Sequence, residues 1–261
     1  EVSDFSALFQ DSKRSDFSGI EDWDVSHVTN MRNMFRGIEN FNSDISNWDV
    51  SNVTNMSLMF AGAKNFNSDI SSWDVSNVTN MGYMFSSATS FNQPLNDWDV
   101  SKVTNMSHMF YRAISFNQPL NNWDVSSVTD MSGMFAISYQ MDYNRTASTS
   151  GYHYKPGEGG YAISNYDGEK PTIFNQPLNN WNVSSVTDMS GMFLGNESFN
   201  QFLNDWNVSN VKNIRGMFFK AKSFNQPLAS WKISIDENKF KVYAFEGSAQ
   251  NPLPRWYNEK R

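Results

Sequence analysis

Apolar side chains recur along this chain in two rhythms within one block. In residues 92–116, NQPLNDWDVSKVTNMSHMFYRAISF, the spacing L-x-x-W-x-V places Trp98 and Val100 on one side of an extended segment. Asp97, Asp99 and Ser101 fall on the other side, which predicts one short strand. Beyond it Val103, Met106, Met109, Phe110, Ala113 and Phe116 recur every three or four residues. That spacing predicts a short α- or 3₁₀-helical return whose apolar stripe faces the same interior.

The block then repeats. Trp occurs at 23, 48, 73, 98, 123, 181, 206, 231 and 256, always 25 residues apart except between 123 and 181, where the interval of 58 is one period plus 33 extra residues. A fixed period of this length signals stacked repeats, in which one unit cannot bury its apolar face alone but a stack can. A core of stacked Trp, Phe and Met follows, each buried aromatic removing ~150–250 Å² from water. With strands ~4.8 Å apart, nine coils would build a parallel sheet roughly 45 Å long. The expected fold is an α/β repeat: a solenoid with one short parallel strand and one short helical turn per 25-residue coil.

Two polar ladders run with the core. Ser follows the strand Val at 26, 51, 76, 101, 126, 184, 209 and 234, and Asn follows the second Phe at 42, 67, 92, 117, 175, 200 and 225. Asn at equal positions of stacked coils can satisfy backbone groups at the bend through its amide. The repeat itself generates Asn-x-Ser/Thr sequences such as Asn52-Val-Thr54, so these say little about glycosylation.

The run WDVSNVTNMSLMF from Trp48 to Phe60, followed by FNSDISSW or FNQPLNNW, resembles the bacterial surface-protein repeat of mycoplasma lipoproteins, a relative of the BspA-like leucine-rich repeats. The resemblance spans about 21–230 apart from the extra segment. It implies a right-handed leucine-rich-repeat-like solenoid on secreted or cell-surface bacterial proteins linked to adhesion, with no catalytic residues. Leu8-Phe9 to Phe17 form a degenerate first coil, and 231–256 replace the Met-Phe pair by Val242-Tyr243, as terminal coils do when they cap a core. One domain over 1–261 follows: a cap at 1–20, coils at 21–135, an insertion at 136–173, coils at 174–230, and a last coil and cap at 231–261.

Composition narrows the function. No apolar stretch approaches ~18 residues, so no spanning helix is expected. The chain has no Cys, which removes disulfides, thiolate zinc sites and Cys nucleophiles. The net charge is −7, and residues 1–135 carry 16 acids against 7 bases, which argues against nucleic acid or an anionic membrane as partner. The chain opens at Glu1 without Met or a leader-like segment, as expected of a processed protein or a monomeric module cut from a longer chain. No phosphate loop, H-E-x-x-H, G-x-S-x-G or EF-hand pattern occurs, so no enzyme is expected. His27 and His108 sit at variable positions of the repeat and are expected on the surface.

Two features carry candidate chemistry. Asp24, Asp49, Asp74, Asp99 and Asp124 each follow a Trp and should line one face. Like charges ~5 Å apart at an effective dielectric of ~20 cost on the order of 3 kcal/mol per neighbouring pair, so the row needs hydrogen bonds, cations or raised pKa values. Three readings stand: own-turn bonds from Ser, Thr or backbone N–H; a groove for Ca²⁺ or a cationic ligand on this face; and a glycosidase pair, discounted because the environments repeat identically. Asp74, Asp99 and Asp124 are expected among the ligand-binding residues, with no metal site assigned.

The second feature is the insertion. It holds Tyr139, Tyr143, Tyr152, Tyr154, Tyr161 and Tyr166, six of the ten Tyr, with His153 and five Gly. Residues 151–163 alternate around a turn-rich centre, which suggests a β-hairpin. Tyr, Ser and Gly on a rigid scaffold are the chemistry of a binding surface, through Tyr stacking on a sugar ring or holding a peptide side chain. Packing of the Tyr onto the coils is the alternative, and disorder a third. The expected function is a non-catalytic ligand-binding (adhesion) module at the bacterial surface or outside the cell, recognising a glycan or peptide/protein of a host or neighbouring cell. A passive spacer and a carbohydrate-acting enzyme are the alternatives.

Overall fold

The computed structural model describes residues 2–137, 170–233 and 243–258. Successive 25-residue coils lie side by side on one continuous apolar core that runs from Phe17 to Phe245. Two columns of Phe form its spine. Within a coil the rings lie almost in contact, as Phe60 and Phe66 do at 3.9 Å, and between coils they repeat at 5.8 Å for Phe41–Phe66 and 5.9 Å for Phe60–Phe85. The Val and Met columns beside them are fully buried.

The expected strand and helix do not form. Among the described residues there is no regular strand; neighbouring coils meet in isolated parallel bridges, Asp4↔Asn30, Asn30↔Asn55, Asn55↔Asn80, Asn80↔Asn105, Asn105↔Asp130, Asp130↔Asp188 and Asp188↔Asn213. Among the described residues regular helix is confined to a 3₁₀ turn, Ile20–Asp22, and α1, Arg255–Asn258. An α/β leucine-rich-repeat-like solenoid with a strand in each coil is therefore not the architecture of this chain.

The Trp segment is a pair of turns. The Trp98 N–H donates to the Leu95 carbonyl at 3.1 Å and the Val103 N–H to Val100 at 2.9 Å. Leu95 and Trp98 both point inward because a turn, like a helix, brings positions three apart to one side. The side chains between compete with any ladder: Asp99 Oδ1 accepts from the Ser101 N–H at 3.0 Å, a local turn that takes the backbone out of extended pairing.

The supposed helical return is a hybrid. From Met56 onward alternate N–H groups reach the next coil, Met56 to Asn80, Leu58 to Gly82, Phe60 to Met84 and Gly62 to Ser86, at 2.7–3.0 Å. The residues between close i→i−3 turns, Met59 to Met56 and Ala61 to Leu58. Such a path needs a left-handed residue twice per coil, here Leu58 (φ 59) and Gly62 (φ 75), and a helix cannot pass through either.

Three side-chain ladders lock coil to coil. The Trp48 indole N–H donates to the Ile20 carbonyl, Trp73 to Ile45, Trp98 to Ile70 and Trp123 to Leu95, at 2.7–3.2 Å. Each such indole is therefore buried with its one polar atom satisfied. The Asn ladder passes its bonds from side chain to backbone: Asn42 Oδ1 accepts from the Asn67 N–H at 2.8 Å, and Asn67 Oδ1 from Asn92 at 2.9 Å. Thr hydroxyls repeat the theme, Thr79 donating to the Thr54 carbonyl at 3.2 Å. No helix among the described residues is long and apolar enough to cross a membrane.

Candidate functional site

The Asp row is held by its own turns. Oδ1 of Asp24, Asp49, Asp74, Asp99 and Asp124 each accepts from the N–H of the Ser two residues on, at 3.0 Å. At Asp24 and Asp49 the Ser hydroxyl adds a second bond, 2.7 and 2.6 Å. The Ser hydroxyl, then the Ser backbone N–H, holds Asp24, Asp74 and Asp99 below the usual carboxylate range. Asp74 does feel Asp99, which pushes the other way, but the turn outweighs it. These carboxylates are exposed. Among the described residues no three His, Asp or Glu converge as metal ligands.

Tyr139, Tyr143, Tyr152, His153, Tyr154, Tyr161 and Tyr166 lie outside the described residues, as does the hairpin expected at 151–163. The joint that carries them is described. Ile137 still donates its N–H to the next coil, at Leu194, 2.9 Å away. Phe174 then stacks on Phe135 with centroids 4.0 Å apart, matching the spacing inside an uninterrupted coil. The ladders resume in register: the Asn175 N–H donates to Asn117 Oδ1 at 2.9 Å, and the Trp181 indole to the Leu120 carbonyl at 2.8 Å. Thr172 is buried among Phe110, Ala113, Phe116, Phe135 and Phe174, and its hydroxyl has no partner among the described residues.

Beside this joint the repeat departs from its own pattern in three ways. First, Asp130 and Asp188 occupy the bridge column that holds Asn30, Asn55, Asn80, Asn105 and Asn213. Their Oδ1 atoms accept from Ser132 and Ser190 N–H, and Asp188 Oδ2 also accepts from Asn213 Nδ2 at 3.0 Å. Second, the left-handed column changes from Leu58, Tyr83 and His108 to Gly133, Gly191 and Gly216. Third, Ala136, Leu194 and Phe219 form a small apolar cluster outside the main core, with Tyr111 packed against it.

His108 sits where these meet, and it is not the free surface group expected. Its ring lies parallel to Tyr83 at 4.5 Å and edge-on to Tyr111 at 5.6 Å. A Cβ on Gly133 would fall 2.5 Å from that ring, so only glycine admits it there. Burial pushes the His108 pKa down, and the neighbouring charges of Asp130 and Asp188 only partly oppose that. Nδ1 is buried and has no partner among the described residues. The available signal was the switch from bulky residues to three successive glycines at one repeat position.

The arrangement is a repetitive frame with one irregular flank at the root of the insertion. A family model described as "Mycoplasma protein of unknown function, DUF285" matches residues 3–110, 50–149 and 168–256. No curated protein matches the chain.

Proposed function

The chain belongs to the DUF285 family of mycoplasma proteins, and on that premise we propose that it is a non-catalytic ligand-binding module of a bacterial adhesin, cell-surface or secreted. Its target is a glycan or a peptide/protein of a host or neighbouring cell, held by the Tyr-rich insertion and the coil flank beside it. A relation to the BspA-like repeats would lie in the repeated-coil organisation and not in a strand per coil.

One observation carries this reading: the insertion is spliced between two stacked rings, Phe135 and Phe174, with no break in the ladders on either side. The contacts that continue the stack there are made by Phe135, Phe174, Asn117, Asn175 and Trp181, so the 33 extra residues are free to serve recognition. The regular coils support the same division of labour, because Asp74, Asp99 and Asp124 each accept from the Ser N–H of their own turn at the same 3.0 Å, whereas acid–base catalysis needs environments that push two pKa values apart.

The test is binding of the intact chain to glycan and peptide arrays, compared with a variant in which 138–171 are replaced by one Ala. Loss of the captured ligand in a folded variant supports the reading. Retained binding places the site on the coils and overturns the role of the insertion, and no binding by either protein favours the passive spacer.

A further inference from the structure

The indoles of four successive coils form a column in their own right. Trp123 and Trp181 lie with ring centroids 6.3 Å apart and 2° from parallel, Trp181 and Trp206 6.3 Å and 4°, and Trp206 and Trp231 6.3 Å and 5°. The first of these steps crosses the insertion, so the column is as regular there as in the uninterrupted coils. All four indoles are 2–3 % exposed. The rings therefore stand in an offset stack shielded from water. Indole is among the most easily oxidised side chains, and a parallel stack this close lets one electron pass between neighbours. The chain has no Cys, the thiol that would otherwise drain a radical from the stack.

Three features favour movement of a charge over its trapping. Each indole N–H is held by an amide carbonyl: Trp123 by Leu95 at 2.7 Å, Trp181 by Leu120 at 2.8 Å, Trp206 by Leu178 at 3.0 Å and Trp231 by Leu203 at 2.9 Å. Such a carbonyl stabilises an indole radical cation but is too weak a base to take its proton, so the charge is not fixed in place. The four settings are also near copies, so no indole is a deep sink. The uniformity that tells against acid–base catalysis is what hopping requires. The residue after each indole changes from the Asp124 carboxylate through Asn182 and Asn207 to the Lys232 ammonium, which draws a positive charge from Trp231 toward Trp123.

We infer that the column from Trp231 to Trp123 conducts oxidising equivalents by one-electron hopping. A one-electron oxidant at the surface, an oxyl or peroxyl radical, takes an electron from Trp231 and is itself reduced to its anion. The Trp231 radical cation is refilled by an electron from Trp206, Trp206 from Trp181, and Trp181 from Trp123. No proton moves and no bond breaks in these steps. A one-electron reductant of the ascorbate class then returns an electron to Trp123 and restores the column. This activity is independent of ligand binding at the insertion.

Because the chain lacks Cys, a ruthenium polypyridyl photo-oxidant can be attached at one place, Ala229→Cys, an exposed position just before Trp231. Asn122→Tyr, exposed beside Trp123, is the trap: its phenol gives up a proton to water on oxidation, and the phenoxyl radical absorbs apart from the indole radical cation. In flash-quench measurements on the intact chain, a phenoxyl signal above that of the same labelled chain with Asn122 retained is expected. Trp206→Phe, which puts a ring that is not oxidised in the path, should abolish it, and Trp181→Phe does the same should the first variant not melt cooperatively. Trp73→Phe removes an equally buried indole outside the path and should leave the signal unchanged, which separates conduction from packing. No phenoxyl signal although Trp231 is oxidised, a signal indifferent to Trp206→Phe and Trp181→Phe, or an equal loss in Trp73→Phe overturns the inference.

Discussion

Phe135 and Phe174 lie 4.0 Å apart and 6° from parallel, and Phe110 and Phe116 lie 4.0 Å apart and 11° from parallel, although 38 residues separate the first pair and five the second. The coil therefore closes by the same contact however long the connection is. Replacing 138–171 with one Ala restores the five-residue spacing and places a small residue where Ala113 lies in the coil before. We expect a folded protein with a melting temperature within a few degrees of the parent by circular dichroism. Collapse of the cooperative transition would mean that the insertion holds the coils together.

The indole bonds give a comparison inside one molecule. Trp123 is buried and donates to the Leu95 carbonyl at 2.7 Å, while Trp23 is exposed. Trp123→Phe both leaves a void and takes away a donor, and should cost about 2–4 kcal/mol. Trp23→Phe should cost less than about 1 kcal/mol. Equal losses in urea titrations would show that the indole ladder contributes little.

Asn117 bridges the insertion, its Oδ1 accepting from the Asn175 N–H at 2.9 Å and from Gln176 Nε2 at 3.2 Å. Asn117→Ala strands a half-buried N–H and should lower stability by about 1–3 kcal/mol. Hydrogen exchange at Asn175 is the direct readout and should accelerate.

Gly133, at φ +59, lies under the His108 ring. Gly133→Ala should destabilise by about 1–3 kcal/mol through backbone strain and overlap with that ring. In His108→Ala the overlap disappears, so the double variant should recover part of the loss. A cycle with no coupling would place the cost wholly in the backbone.

Two acid limbs are expected. His108 has its pKa lowered by burial, so it binds a proton more readily unfolded; its contribution is complete above about pH 6.5 and is lost as pH falls below that value toward its folded pKa. His108→Gln should remove this limb from melts between about pH 7.5 and 5. Asp74 and Asp99, lowered by Ser76 and Ser101, contribute above the ordinary carboxylate value near pH 4 and lose that contribution as pH falls through it, in parent and variant alike.

The 25-residue Trp spacing made the stacked coils and their aromatic core legible, because a column of identical large side chains needs an identical backbone beneath it. Secondary structure was not legible. Leu95 and Trp98 point inward together in a turn, and Val103, Met106 and Met109 do so in a chain of turns, so inward spacing alone could not tell these from strand and helix. Asp99 and Ser101 held the better clue, since both favour local turns over ladders. The left-handed positions were hidden wherever Leu58, Tyr83 or His108 fills them, and visible only at Gly62, Gly133 and their equivalents. His108 was missed as a packed group because its setting depends on Gly133, a residue in the following coil.

The joint at Phe135 and Phe174 has an evolutionary corollary. Tying off a loop costs entropy that grows only with the logarithm of its length, about 0.6 kcal/mol for each doubling. Cargo of almost any size or composition can therefore be exchanged at that seam while the chassis beneath stays the same.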